Sequence, residues 1–114
     1  MKQNISVTRA RTHRLKLRIT GPDDEPYILK DEEKIIFGVK KNLTDSEYVI
    51  KKVITEQDST DYTCSIVLDP SDTEPLSPAI DYYYDVGLQS GTAYYSIIDA
   101  SRFSLNANVT KKEV

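Results

Sequence analysis

The stretch Ile80-Asp81-Tyr82-Tyr83-Tyr84-Asp85-Val86-Gly87-Leu88 alternates strictly. Ile80, Tyr82, Tyr84, Val86 and Leu88 fall on one side, the longest apolar row in the chain, against Asp81, Tyr83, Asp85 and Gly87. A period of two is the signature of a strand with one buried face. Just upstream, Asp69-Pro70-Ser71-Asp72-Thr73-Glu74-Pro75-Leu76 carries a capping Asp, Pro at the first helical position and an acid two residues later. These are helix-start signals, and Pro75 keeps the helix short. The expectation is one helical turn near residues 70–75, crossing from one sheet to another. Leu76-Ser77-Pro78-Ala79-Ile80-Asp81-Tyr82 then has the spacing of the corner in immunoglobulin-like domains, where a Tyr hydroxyl bonds back to the crossing backbone. Tyr82 is the candidate corner tyrosine.

The same period recurs on both sides. Arg14 to Thr20 alternates without a fault, and Ile35, Phe37 and Val39 share one side of Glu33–Val39. Tyr62, Cys64, Ile66 and Leu68 form another row, as do Phe103, Leu105, Ala107 and Val109. Weaker candidates are Ile5–Val7, Tyr27–Leu29, Tyr48–Ile54 and Ala93–Ile98. Alternation breaks at Lys51-Lys52, as it does at a bulge or a solvent-facing edge strand. Gly21-Pro22-Asp23-Asp24, Asp45-Ser46 and Ser90-Gly91 supply turns, the last placed as a tight hairpin. No stretch sustains a period of 3.6. Eight or nine short strands at this spacing predict an all-β, immunoglobulin-like antiparallel β-sandwich. Residues 1–114 read as a single domain, long enough for one hydrophobic core without a disulfide or structural metal.

Composition bounds the function. Eight Tyr with two Phe and no Trp suit half-buried strands. A net charge of −3, from 15 basic and 18 acidic residues, argues against a general nucleic-acid binder. The single Cys64 permits no internal disulfide. The first twenty residues lack an apolar signal region, and Ile35–Val39 is too short to span a bilayer, so a cytoplasmically made, non-membrane protein is expected.

Catalytic chemistry finds few parts. Nucleophilic catalysis needs a Ser or Cys beside a base, usually His. The lone His13 stands between Arg11 and Arg14 with no acidic partner, and Cys64 lies in an inward row. Asp81 and Asp85 share a strand face about 13 Å apart, wider than the roughly 5–9.5 Å of glycoside hydrolysis. No zinc-ligand spacing or Gly-rich phosphate loop occurs. Asp23, Asp24 and Glu25, and likewise Asp69, Asp72 and Glu74, are oxygen-rich but lack calcium-loop spacing. No catalytic residue, cofactor or metal is therefore expected.

Surface features remain. No acid precedes Asp23, and Arg14, Lys16 and Arg18 form a basic stripe suited to an acidic protein partner or, less favourably, to nucleic acid. Tyr48, Tyr83 and Tyr94 fall on outward or edge positions, where tyrosine serves interfaces and sugar platforms. The absence of Trp favours the interface use.

The order of these pieces carries a family resemblance over residues 4 to 110. The basic N-terminal strand, Gly-Pro-Asp-Asp, Lys34-Ile35-Ile36-Phe37-Gly38-Val39-Lys40-Lys41, the Asp69–Thr73 crossing, Tyr82–Gln89 and Ser101-Arg102-Phe103-Ser104-Leu105 follow one another. The chain resembles the immunoglobulin-like β-sandwich tail proteins of phages and prophages of Gram-positive bacteria, in particular the N-terminal module of baseplate upper proteins. That resemblance implies a non-enzymatic virion structural protein contacting other tail or baseplate proteins, or itself as a homo-oligomer. It implies synthesis in the bacterial cytoplasm and residence in the virion. With the sequence ending at Val114, a small stand-alone assembly protein is expected rather than the arm of a longer fibre. The alternative is a carbohydrate-binding or cell-surface adhesion module of the same fold.

Overall fold

The computed structural model describes residues 2–21 and 23–113. Alternating sequence becomes seven strands and one short helix. In chain order they are β1 (Ile5–Thr8), β2 (His13–Arg18), β3 (Lys34–Lys40), β4 (Ile50–Ile54), β5 (Thr63–Leu68), α1 (Pro70–Thr73), β6 (Tyr82–Ser90) and β7 (Ala93–Asn106). They form a five-stranded sheet, order β1-β7-β6-β3-β4, and a two-stranded sheet of β2 and β5. All pairings are antiparallel except β1 with β7, which is parallel. Two sheets joined by a helical crossing, with β6 between β3 and β7, make an all-β sandwich of immunoglobulin-like connectivity.

The inward rows meet between the sheets. Ile35, Phe37, Val39, Tyr84, Val86 and Phe103 from the large sheet face Cys64, Ile66 and Leu68, all buried. Phe37, Tyr84 and Phe103 make an aromatic cluster with centroids 5.5, 6.3 and 6.4 Å apart. Such tilted and edge-on pairs each add about 1 kcal/mol beyond area burial. At the crossing, Asp72 caps the helix by accepting the Asp69 N–H (2.7 Å). Tyr82 opens β6 and its hydroxyl accepts the Ser77 N–H at 2.9 Å, the bond of a tyrosine corner. Gly91 takes φ +60, which the two-residue loop between Ser90 and Ala93 requires of its first residue.

Several expectations are corrected. Among the described residues the strands number seven rather than eight or nine. Tyr27–Leu29 forms none; an isolated bridge pairs Thr20 with Pro26 just before it. Ala93–Ile98 and the run from Phe103 belong to the single strand β7, because no Gly or Pro interrupts them. Two register shifts in its pairing with β6, between Tyr84 and Val86 and between Val86 and Gly87, each advance the inward set by one residue. Bulges therefore split one strand into two apparent patterns. The final row stops early: β7 ends at Asn106, where β1 ends, and Val109 is fully exposed. Ile80 precedes β6 and is partly exposed. The Lys51-Lys52 pair marks an edge without a bulge, since β3 and β4 stay in continuous register from Ile35–Ile54 to Val39–Ile50. The proposed turn at Gly21–Asp24 includes Pro22, which lies outside the described residues; Asp24 N–H bonds to the Gly21 carbonyl (3.0 Å).

Among the described residues no helix is long and apolar enough to cross a membrane.

Candidate functional site

The outer face of the five-stranded sheet is built around two outward glycines. Gly38 on β3 and Gly87 on β6 occupy solvent-side positions where a side chain would ordinarily stand. Instead Tyr48 lies over Gly38 and Tyr94 over Gly87. A Cβ on Gly38 would come within 2.4 Å of the Tyr48 ring, and one on Gly87 within 2.2 Å of Tyr94. Glycine inside a strand marks such close approach. The rings stay 46% and 57% exposed although their inner sides rest on backbone. Tyr83, half-buried, stands in register with Lys40 on β3 and Arg102 on β7.

Charges frame these rings. The ammonium groups of Lys40 and Lys51 sit 4.9 and 5.5 Å from the Tyr48 ring centre, within cation–π range. Asp85, in register with Gly38, lies beside Tyr94. Burial pushes the Asp85 carboxyl above its usual range and the charge of Asp99 adds to this, while Lys40 opposes it. Burial likewise raises the Tyr94 hydroxyl, with Asp85 and Tyr48 contributing. A shallow depression of about 110 Å³ is lined by Lys40, Leu43, Tyr48, Tyr83 and Asp85.

The three tyrosines singled out from sequence thus share one face. The basic stripe does not join them. Arg14, Lys16 and Arg18 stand exposed on the outer face of β2, on the other sheet, paired across to Val67, Ser65 and Thr63. Their upstream neighbours serve the fold. Arg9 Nε donates to the Leu76 carbonyl (2.9 Å), Arg9 also binds the Glu74 carbonyl and Asn108, and Arg11 holds Thr110. Sequence reasoning missed Lys40, Leu43 and Asp85 as members of the tyrosine face. The outward glycines of two adjacent strands were the signal that could have found it.

Several groups with catalytic chemistry are engaged in structural contacts. His13 Nε2 lies 3.0 Å from the Thr8 carbonyl. Cys64 is fully buried, and that burial pushes its thiol pKa up, away from the reactive thiolate. Asp81 meets Arg102 (3.5 Å) and Ser104 (3.1 Å). Asp72 pairs with Lys52 (2.9 Å), and Glu74 with Lys111 (3.6 Å). Glu33 is buried; desolvation opposes its ionisation, but hydrogen bonds from the Lys30 N–H, the Tyr27 hydroxyl and Ser90 outweigh it and hold its pKa low. Among the described residues no three His, Cys, Asp or Glu side chains converge as metal ligands.

No protein-family model matches this chain, and no curated protein matches it.

Proposed function

We propose that this chain is a non-enzymatic assembly module that works by protein–protein contacts through the tyrosine face of its five-stranded sheet. The observation that carries this reading is the pair of tyrosines seated on Gly38 and Gly87. Backbone contact holds each ring without burying it, so an interface forms there with little side-chain ordering still to be lost. Lys40 and Asp85 add charges of both signs beside the rings, the polar complement of an aromatic contact patch. The order of motifs described above favours a place among phage or prophage tail and baseplate proteins, with the virion as location.

Carbohydrate adhesion is the competing reading. Tyr94 offers a ring face for stacking, whereas Tyr48 already carries two ammonium groups over its ring. A nucleic-acid role fits less well, because the basic stripe of Arg14, Lys16 and Arg18 lies on the other sheet from the aromatic face and has no stacking ring beside it.

The test pairs the purified chain with the products of genes adjacent to its own, using light scattering after size exclusion to read both self-association and complexes. A Tyr48→Ser, Tyr94→Ser variant should lose the complex and keep its thermal midpoint. Unaltered complex formation by that variant, or glycan-array binding that depends on Tyr94, would overturn the proposal.

A further inference from the structure

A different surface, away from the tyrosine face, points to a second docking mode. A sandwich of two open sheets has four edges, and natural edges are guarded against pairing by shortness or charge. Three are guarded here. β1 has only four residues. β2 carries Arg14, Lys16 and Arg18. β4 carries Lys51 outward and, opposite the buried Phe37, Lys52 on the inward side, reaching Asp72 at 2.9 Å. The edge of β5, Thr63-Cys64-Ser65-Ile66-Val67-Leu68, has no charge at all.

Among the described residues, no strand pairs with that edge. Ile19 N–H donates to the Tyr62 carbonyl (2.9 Å), which sets the phase of the β2–β5 ladder. Cys64, Ile66 and Leu68 therefore exchange backbone bonds with β2, while Thr63, Ser65 and Val67 direct theirs to the open side. The groups of Thr63 are satisfied there: its N–H by Asp61 (3.1 Å) and its carbonyl by the Asp58 N–H (2.8 Å). Beyond Thr63 the chain leaving β4 diverges from β5. An open groove of about 620 Å³ lies between them, lined by Val53, Ser65 and Val67, with Glu56 and Asp58 on the β4 side and Arg14 and Lys16 on the β2 side.

We propose that this groove accepts an extended segment of a partner protein, which adds to the β5 edge as a strand and carries acidic side chains at alternate positions. Backbone groups of Ser65 and Val67 provide the ladder bonds. Alternate side chains of an added strand fall on the outer face, where Arg14 and Lys16 meet carboxylates, and the others turn toward Ile54 and the sandwich interior. A second copy of this chain is a poor occupant, since its β5 edge carries no carboxylate to meet Arg14 and Lys16.

The probe is a blocked peptide of about seven residues alternating valine and glutamate, with a valine–lysine peptide as its counterpart. Amide exchange and chemical shifts report on Ser65 and Val67. The glutamate peptide should bind and protect both amides, and the lysine peptide should bind at least about tenfold more weakly, the scale of two exposed ion pairs. Ser65→Pro removes an N–H that the β2–β5 ladder does not use, so the fold should survive and peptide binding vanish. Joint reversal of Arg14 and Lys16 to Glu should invert the peptide preference. Failure of the glutamate peptide to bind, equal binding of both peptides, or binding that leaves Ser65 and Val67 exchanging freely overturns the proposal. So does wild-type affinity in Ser65→Pro, or a peptide-free dimer that protects those amides. None of these outcomes bears on Tyr48 or Tyr94, so this proposal and the tyrosine-face reading fail separately.

Discussion

The two faces of the five-stranded sheet use the same residue type under opposite conditions. On the inner face Tyr82 and Tyr84 are 4% and 2% exposed, and their hydroxyls reach backbone at Ser77 and Gln3. On the outer face Tyr48 and Tyr94 are about half exposed and rest on glycines. A buried ring contributes through the atoms packed around it, and a ring on glycine contributes through what it leaves available. Substitutions on the inner face should therefore register in stability, and those on the outer face in recognition.

The sharpest break of that contrast is Tyr84→Ala. Its ring packs on Phe37 and Phe103, with centroids 5.5 and 6.3 Å away. Loss of a fully buried aromatic costs about 3–5 kcal/mol, read as a fall in the denaturation midpoint. A cost near that of a surface substitution would mean that the cluster is not the centre of the core.

Alkaline pH probes the same residue without mutation. Burial pushes the Tyr84 hydroxyl up to about 12. Ionisation in the unfolded chain begins near the ordinary value of about 10. Below that pH both states keep the proton and the stabilisation is complete. Between about 10 and 12 only the unfolded state releases it, so stability falls as pH rises, by roughly 2–3 kcal/mol in all. Tyr84→Phe should flatten that part of the stability profile; an unchanged slope would assign it to other groups.

Tyr82→Phe is a smaller test on the same face. It removes the hydroxyl that accepts the Ser77 N–H and nothing else. A loss of about 1 kcal/mol is expected, visible in urea midpoints with an unchanged slope. An unaltered midpoint would leave the corner bond without energetic weight.

What could be read in advance follows from the same physics. The inward rows of β3, β5 and β6 and the corner at Tyr82 were legible because strict alternation has one reading wherever a single face is buried. The integrity of β7 was not, because its bulges invert the alternation within one strand. Ala10 was not either: it turns the chain at φ +60, a conformation that glycine normally announces. Tyr48, Tyr83 and Tyr94 were legible as outward residues, but their meeting on one face depends on β3 pairing with β6, a non-local fact. Lys52 looked like a break in the strand pattern. It is an inward edge charge, and only the position of Asp72 on a distant helix explains it.

The finest test concerns the glycines themselves. Ala at Gly87 gains about 0.4–1 kcal/mol by restricting the unfolded chain. Against this, its Cβ lies 2.2 Å from the Tyr94 ring, which must lift away and give up its packing on the backbone. These opposing effects are similar in size, so the stability of Gly87→Ala should stay within about 1 kcal/mol of wild type. The ring itself should not stay put. Once lifted into solvent it loses the burial that raises its hydroxyl, so Tyr94 should titrate closer to the ordinary tyrosine range, as read by NMR of the ring. Partner binding should weaken alongside, as in Tyr48→Ser, Tyr94→Ser, with the fold intact. An unshifted Tyr94 titration in Gly87→Ala would show that the glycine is not what holds the ring, and the outer face would lose the feature that separates it from any other exposed pair of tyrosines.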